Sequence, residues 1–533
     1  MVVRFASPRS WSVITLLAAC TQPPPHRPPV EARLDAALPP LASRTSSAAT
    51  YRQHTFYDYR FYGKKVGYLE ALDEPGDHAG TPAIRSVRKS VITVKRGGDL
   101  VRMESNIEAW SAPDGSPLAF THVRNEGAGP RSITGKRAGN VFEIELDIGA
   151  GKSTLSYPLE PATYLNASID ALTKPSLLKC APSCPAIKGR TIVEEDGSIG
   201  GFSISLAASE TVDGTQLFVI DGALAVGSTN LTTKEWFDAA GVPRRIQFVE
   251  LGAEMVAVSE ADAKRMDTID DIFTRGRLAS GANLPRPSDE LDELSVELFA
   301  RAGAPPNPVA DDHQLVERPA PNRTKIRVKR FSPPKKGEVY PSTPPSAAAP
   351  ELTRALAKTP YEPTDDPRIV AAAKQATTGA KDRWQATLAI NRFVFRHIEK
   401  KTLAQAFSTA IEALDTKEGD CTEHAVLAST LLKAVGIPAR LITGLVYVGG
   451  DDGGFGYHAW VEAFVGGLWV PIDPTFGQDV ADPSHLKFTS GSSDPEGLRE
   501  AGVAAAALFG NIDLRVTEYL TRAGERVRLE GPR

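Results

Sequence analysis

Across a Pro/Ser/Ala-rich stretch at Pro333–Pro350 the hydrophobic pattern of the chain changes its period, and this limits what each side can fold into. Upstream, short runs alternate apolar and polar residues or collect β-branched ones. Examples are Thr55 to Tyr62, Val91 to Val94 and Val141 to Leu146. Gly97-Gly98, Asp114-Gly115 and Asp213-Gly214 interrupt such runs as turns would. This is the pattern of antiparallel strands. Downstream, Pro367 to Thr378 and Lys381 to His397 read as helices, the second with Trp384, Leu388, Ile390, Phe393 and Phe395 as an apolar stripe. A helix from Cys421 to Val435 follows, stopped by Gly436 and Pro438, and then strands at Ala439–Val448, Tyr457–Val465 and Leu468–Ile472. Helices followed by strands predict an α+β domain.

At 533 residues the chain is too long for one core, and several domains are expected. The expected division is a leader at 1–20, a Pro-rich tether at 21–49 and an antiparallel β domain at 50–275. One or two helices are expected in it near Thr163 to Leu172. A small β module at 283–340, a linker at 341–351, an α+β domain at 352–490 and a C-terminal extension at 491–533 complete it. The fold class is thus multidomain, with β-rich regions ahead of an α+β domain. The 61 basic and 65 acidic residues nearly cancel, so bulk charge gives no support to nucleic acid as a partner. In the small module Arg323, Lys325, Arg327, Lys329 and Arg330 line one strand, as an anion patch or, more ordinarily, a solvated face.

Arg4 and Arg9 precede a short apolar run from Trp11 to Ala19, about half of the ~20 residues a membrane span requires. That is the layout of a secretory leader. Leu17-Ala18-Ala19-Cys20 resembles the bacterial lipobox, which implies lipidation of Cys20, an exported protein tethered to a membrane, and a periplasmic or surface location. The alternatives are an ordinary leader with an incidental Cys and a disordered N-terminus. Cys180 and Cys184 are close enough in sequence for a local disulfide in such a compartment. A redox pair or half a metal site is the competing reading, and no second Cys/His cluster of zinc spacing completes one. Cys421 is left without a partner.

A thiol nucleophile requires a lowered pKa, a base and a group that orients the base. Cys421 begins its helix, where exposed N–H groups favour a thiolate. The alternative, a buried core Cys, sits poorly beside Asp420, Thr422 and Glu423. If Gly466-Gly467 is a two-residue turn, Val465 pairs with Leu468 and Trp460 with Asp473. His458 and Asp473 then share a face as diagonal neighbours, ~7–8 Å apart at Cα. The opposite face carries Ala459, Val461, Leu468, Val470 and Ile472. Trp460 and Trp469 fall on the His458 face, as walls of a substrate cleft or as packing. Asp451 and Asp452 are too few to make a calcium site, and neither a metal nor another cofactor is expected.

Gly419-Asp420-Cys421-Thr422-Glu423-His424-Ala425, Ala434-Val435-Gly436-Ile437-Pro438-Ala439-Arg440, Gly456-Tyr457-His458-Ala459-Trp460-Val461-Glu462 and Trp469-Val470-Pro471-Ile472-Asp473-Pro474-Thr475 resemble, in order and spacing, the successive blocks of the bacterial transglutaminase-like superfamily. Phe476-Gly477-Gln478 and Ser484-His485-Leu486-Lys487 resemble the tail of the same group. The resemblance implies a papain-like fold and acyl transfer on amide bonds of a protein or peptide. Cys421 would be the nucleophile, His458 the base and Asp473 its orienter. Two non-enzymatic readings stand beside it. One is a peptide-binding scaffold on the same fold; the other is an envelope protein dominated by its β regions.

Overall fold

In the computed structural model the described residues are 52–529, except 97–98, 126–129, 150, 181–183, 213, 228, 240, 267–268, 270–276, 286–289, 302–306, 333–349, 403–407, 450–452, 492 and 509–511. Cys20, the leader, the Pro-rich tether and the linker at 341–349 lie outside them.

Fifteen strands of the upstream region join in one sheet. The strands between Gln53 and Pro158 form a meander, and a second run of strands leads to Ala253–Val258. The two runs meet where Gln53–Phe61 pairs with Ala253–Val258. Among the described residues every pairing in this sheet is antiparallel except Thr163–Leu165 with Ile187–Ile192. Alternation drives the individual strands: in Val141–Asp147 it is Phe142, Ile144 and Leu146 that are buried. The helix expected near 163–172 runs over Ile169–Cys180, and Cys180 is disulfide-bonded to Cys184 with Cα atoms 5.2 Å apart.

This large sheet packs in two directions. Ile107, Phe120, Ile133, Phe142 and Ile144 share one core with Ile369, Ile390, Ile411 and Leu431 of the downstream helices. Buried Arg131 reinforces that contact by an ion pair to Glu412 at 2.9 Å, and Arg124 donates to the Tyr361 hydroxyl at 2.6 Å. The rest of the sheet closes over the Ile169–Cys180 helix and over Ala505 and Ala506 of a C-terminal helix, Pro495–Leu508.

The small β module is not closed on itself. Its strand Leu291–Ala300 pairs on one side with Arg323–Lys329 and on the other with Ile512–Thr521, so the C-terminal extension supplies part of the same sheet. The basic residues on Arg323–Lys329 are not an open anion patch. Arg323 and Arg515 both reach Glu297, while Arg327 approaches Glu293 at 3.8 Å and Lys325 approaches Glu317 at 3.7 Å. Opposite charges on neighbouring strands make this a cross-strand ladder.

The downstream region holds helices Pro367–Ala376, Arg383–His397, Ala410–Thr416 and Cys421–Ala434. They precede a sheet ordered Leu278–Ala279, Gly454–Val465, Ala439–Tyr447, Leu486–Gly491, with Leu468–Ile472 paired to the outer side of Gly454–Val465. In the Arg383–His397 helix the buried face is Thr387, Ile390, Asn391 and Val394, and Phe395 is exposed. The expected apolar stripe therefore departs from the real one at Phe395, whose ring packs on Gly477 and carries the Lys401 ammonium 4.6 Å above it.

Candidate active site

Cys421 is the first residue of a helix whose other side chains are almost all buried. Such a helix is fixed on every side, so its tip is a stable platform. The tip is set by a capping box. Asp420 accepts the Thr422 N–H at 2.8 Å, and Glu423 folds back to accept the Asp420 N–H at 2.8 Å. Glu423 also accepts the Ser408 N–H at 2.9 Å. Gly419 makes this possible, because a Cβ there would lie 2.3 Å from the Glu423 Cβ. Burial, with the Asp420 carboxylate beside it, pushes the Glu423 carboxyl up to about 8. Cys421 itself is outside any disulfide, half-buried at the edge of the core formed by the helices and the apolar sheet face.

The hairpin carrying His458 and Asp473 has the expected register. Gly466 and Gly467 have φ of +63° and +82°, the left-handed pair that a tight two-residue turn between twisted strands requires. Val465 pairs with Leu468 and Val461 with Ile472. Ala459, Val461, Val470 and Ile472 are buried against the Cys421 helix. His458 Nε2 lies 2.8 Å from Asp473 Oδ2, and both side chains are almost wholly buried. With Nε2 committed to the carboxylate, Nδ1 is the ring nitrogen left to serve a thiol.

The helix tip and the Asp473 turn are tied through one short segment. Gly419 N–H donates to Lys400 O at 3.1 Å, and the Lys401 ammonium donates to Thr475 O. Asn391 Nδ2 holds Gln478 O at 2.9 Å, and Gln478 pairs by its backbone with Asp473. His424, one turn behind Cys421, donates from Nδ1 to Asp420 O at 2.6 Å; burial pulls its pKa down to about 4, so it is neutral near pH 7.

Asp473 holds more than His458. Its Oδ1 accepts the N–H groups of Thr475 at 2.7 Å and Phe476 at 3.0 Å. Its Oδ2 accepts, besides His458, the Nε2 of His485 at 3.1 Å. Burial alone would raise this carboxyl, but the two imidazoles outweigh it and hold the group well below the usual carboxylate range. The sequence carried His485 only as part of a family tail; the signal for it was its position beyond Asp482, visible once the Leu486–Gly491 strand is placed. Phe476, also unforeseen, stacks on the His458 ring at 4.7 Å while remaining 45% exposed.

The two tryptophans sit in different surroundings. Trp460 is buried, packed on Ile442 and Ala481, with its ring edge-to-face to His485 at 5.1 Å. Trp469 pairs with Phe464, six residues along the strand from His458, and is covered by the Arg440 guanidinium at 4.0 Å. The loop ahead of His458, Gly449–Gly456, falls partly outside the described residues.

Ligand-capable atoms of His458, Asp473 and His485 lie within 4.8 Å of one another. Both Nε2 atoms, however, donate to one carboxylate oxygen, and the other oxygen is filled by two N–H groups. This is a saturated hydrogen-bond set, not a set of lone pairs converging on a cation.

A thiol at a helix tip and a buried imidazole–carboxylate pair on the sheet that this helix packs against are the parts that a thiol enzyme uses. Residues 370–474 match the model of the transglutaminase-like superfamily, and the chain carries a transglutaminase-like domain. No curated protein matches the chain. Among solved structures, it is similar to a putative cysteine protease from Cytophaga hutchinsonii, at 15% identity over 45% of this chain and 92% of that one, with a TM-score of 0.30. It is also similar to the periplasmic domain of TgpA from Pseudomonas aeruginosa bound to ethylmercury, at 18% identity over 39% of this chain and 93% of that one, with a TM-score of 0.26. Among the described residues no helix is long and apolar enough to cross a membrane.

Proposed function

We propose that this chain is a thiol enzyme that opens amide bonds of proteins or peptides through a thioester on Cys421, outside the cytoplasm. In this reading β-rich N-terminal domains precede a papain-like α+β catalytic domain. The His458 Nε2–Asp473 Oδ2 hydrogen bond carries the proposal, because it fixes the ring with Nδ1 available to the nucleophile. Cys421 Sγ gives its proton to His458 and attacks the carboxamide carbon. The Cys421 N–H, at the head of the helix, stabilises the oxyanion. Collapse breaks the C–N bond, the amine leaves with the proton held by His458, and a thioester remains. Water, activated by the same imidazole, then releases the acid; an amine in its place would give transamidation. Hydrolysis is the expected outcome for an exposed, water-bathed enzyme. The disulfide between Cys180 and Cys184 favours an oxidising compartment. We place the protein on a membrane surface through lipid on Cys20.

The test is mass spectrometry of envelope-protein digests incubated with the chain, with and without a primary amine, against Cys421→Ala. Cleavage, deamidation or an amine adduct dependent on Cys421 supports the proposal. A thiol-directed probe that labels wild type no better than Cys421→Ala would point instead to a peptide-binding scaffold.

A further inference from the structure

The second histidine on Asp473 is the buried group that the proposed chemistry does not use. His485 Nε2 is 3.1 Å from Asp473 Oδ2, and its Nδ1 is 3.0 Å from the carbonyl oxygen of Asp482. A carboxylate and a carbonyl only accept hydrogen bonds, so both ring nitrogens must donate, which requires the doubly protonated imidazolium. The rest of the surroundings agrees. Asp482 Oδ1 lies 3.5 Å from Nδ1, and Asp482 is itself fixed by the Ser484 N–H at 2.7 Å and by Gln478 Nε2 at 2.6 Å. Burial would lower the His485 pKa, but the bonds to Asp473 and Asp482 lift it to about 10.

We infer that His485 is a positioning residue for the proposed thiol chemistry: a standing cation that clamps the same Asp473 oxygen as His458 and offsets its charge. The inference rests on the Cys421–His458–Asp473 reading only for its effect on rate; the charge state of His485 stands on its own contacts.

The position is built by the fold. His485 directly precedes the strand Leu486–Gly491, which pairs with Ala439–Tyr447. Gly444 of that strand lies opposite His458, and a Cβ on it would fall 1.9 Å from Leu486 O. That close approach brings the residue before Leu486 against the His458 strand, and the two imidazole centroids are 5.7 Å apart. Other charged or titratable groups facing His485 line a small cavity behind it. They are Lys487, neutralised by Asp311 and by Glu462 at 2.6 Å, His313, and Lys329 on the exposed end of its strand. Because those carboxylates are occupied by Lys487, Asp473 and Asp482 remain the anions that answer His485.

A cation whose ring lies 5.7 Å from that of His458 makes its imidazolium, and the thiol it would serve, easier to deprotonate. Its removal should move both limbs of the pH–rate profile upward by about one unit. A residue that served only to pack would lower the rate and leave the limbs in place.

Two measurements test this on the full chain. In Cys421→Ala with nitrogen-labelled histidine, one imidazole should stay doubly protonated at pH 8, and its signal should vanish in the added His485→Gln variant. If every histidine is neutral at pH 8, or if the charged one survives in His485→Gln, the inference is overturned. Should His485→Gln not fold, the parent spectrum at pH 8 decides by itself. In the active chain, His485→Gln should shift both limbs of kcat/KM upward; unmoved limbs with a reduced rate would assign a structural role and overturn the inference. If no activity depends on Cys421, the function proposal falls while the spectrum still reports on His485.

Discussion

At the scale of single residues, the candidate chemistry depends on one saturated carboxylate. Asp473 takes four donors, so its orientation is over-determined, and the imidazole it holds inherits that order. Asp473→Asn should preserve much of the packing but swap an acceptor for a donor opposite two imidazoles. The expected loss in kcat/KM is about 10²–10⁴-fold, and Cys421→Ala should remove thiol-dependent turnover altogether; both are read by the peptide assay. The same groups set a pH dependence of stability. His485 is raised from an ordinary 6.5 to about 10, and Glu423 from 4.5 to about 8. In each case the folded state holds a proton that the unfolded chain has released. The sign follows: stability is full below the unfolded values and falls as pH rises through about 8 and then about 10. Thermal melts between pH 6 and 10 should show a falling Tm, with a smaller fall above pH 8 in His485→Gln. A flat or rising Tm over that range would contradict these assignments.

At the scale of elements, two close approaches hold the site in shape. One is the helix tip, where the missing side chain at Gly419 lets Glu423 close the capping box. The other is the contact between the central strand and the last strand of the sheet. Gly444→Ala would press a methyl group into the Leu486 carbonyl, and backbone cannot yield as a side chain can. The expected cost is about 3 kcal/mol by denaturant titration, with activity lost faster than stability because His485 and Asp473 are displaced. A buried ion pair at the other end of the Cys421 helix works differently. Lys433 Nζ lies 2.6 Å from Glu362 Oε2, and both are buried. Lys433→Met leaves the carboxylate without its cation and should cost about 3–5 kcal/mol in the same titration.

At the scale of the whole molecule, the β region and the transglutaminase-like domain share one core, so they are expected to unfold together. Arg131 crosses that boundary to Glu412, which also caps its own helix through the Thr409 N–H at 2.7 Å. Arg131→Ala should destabilise the chain by about 1–3 kcal/mol while preserving a single transition in calorimetry. Two separated transitions would show that the shared core does not couple the parts. The strand Ile512–Thr521, paired with Leu291–Ala300, makes residues 512–521 structural as well.

Local order was legible in the residues themselves. The period change, the Cys421 helix and its stop at Gly436, and the Gly466-Gly467 hairpin register with His458 and Asp473 on one face all follow from short-range rules. Each depends on neighbours within a few positions, which is where propensity and alternation act. What contacts across long separations decide was not legible. The Ala410–Thr416 helix and the Leu486–Gly491 strand carry weak local signals and are fixed by what they pack on. The exposure of Phe395 and the burial of Trp460 were set by which neighbours arrived on each side. The pairing of residues 291–300 with 512–521 joins segments that no local pattern relates. The second histidine on Asp473 arises because the strand that begins 13 residues after that carboxylate can approach the backbone closely at Gly444, which places His485 where it meets Asp473. The residues carried the chemistry and the local geometry, and the tertiary structure decided which buried charges would face one another.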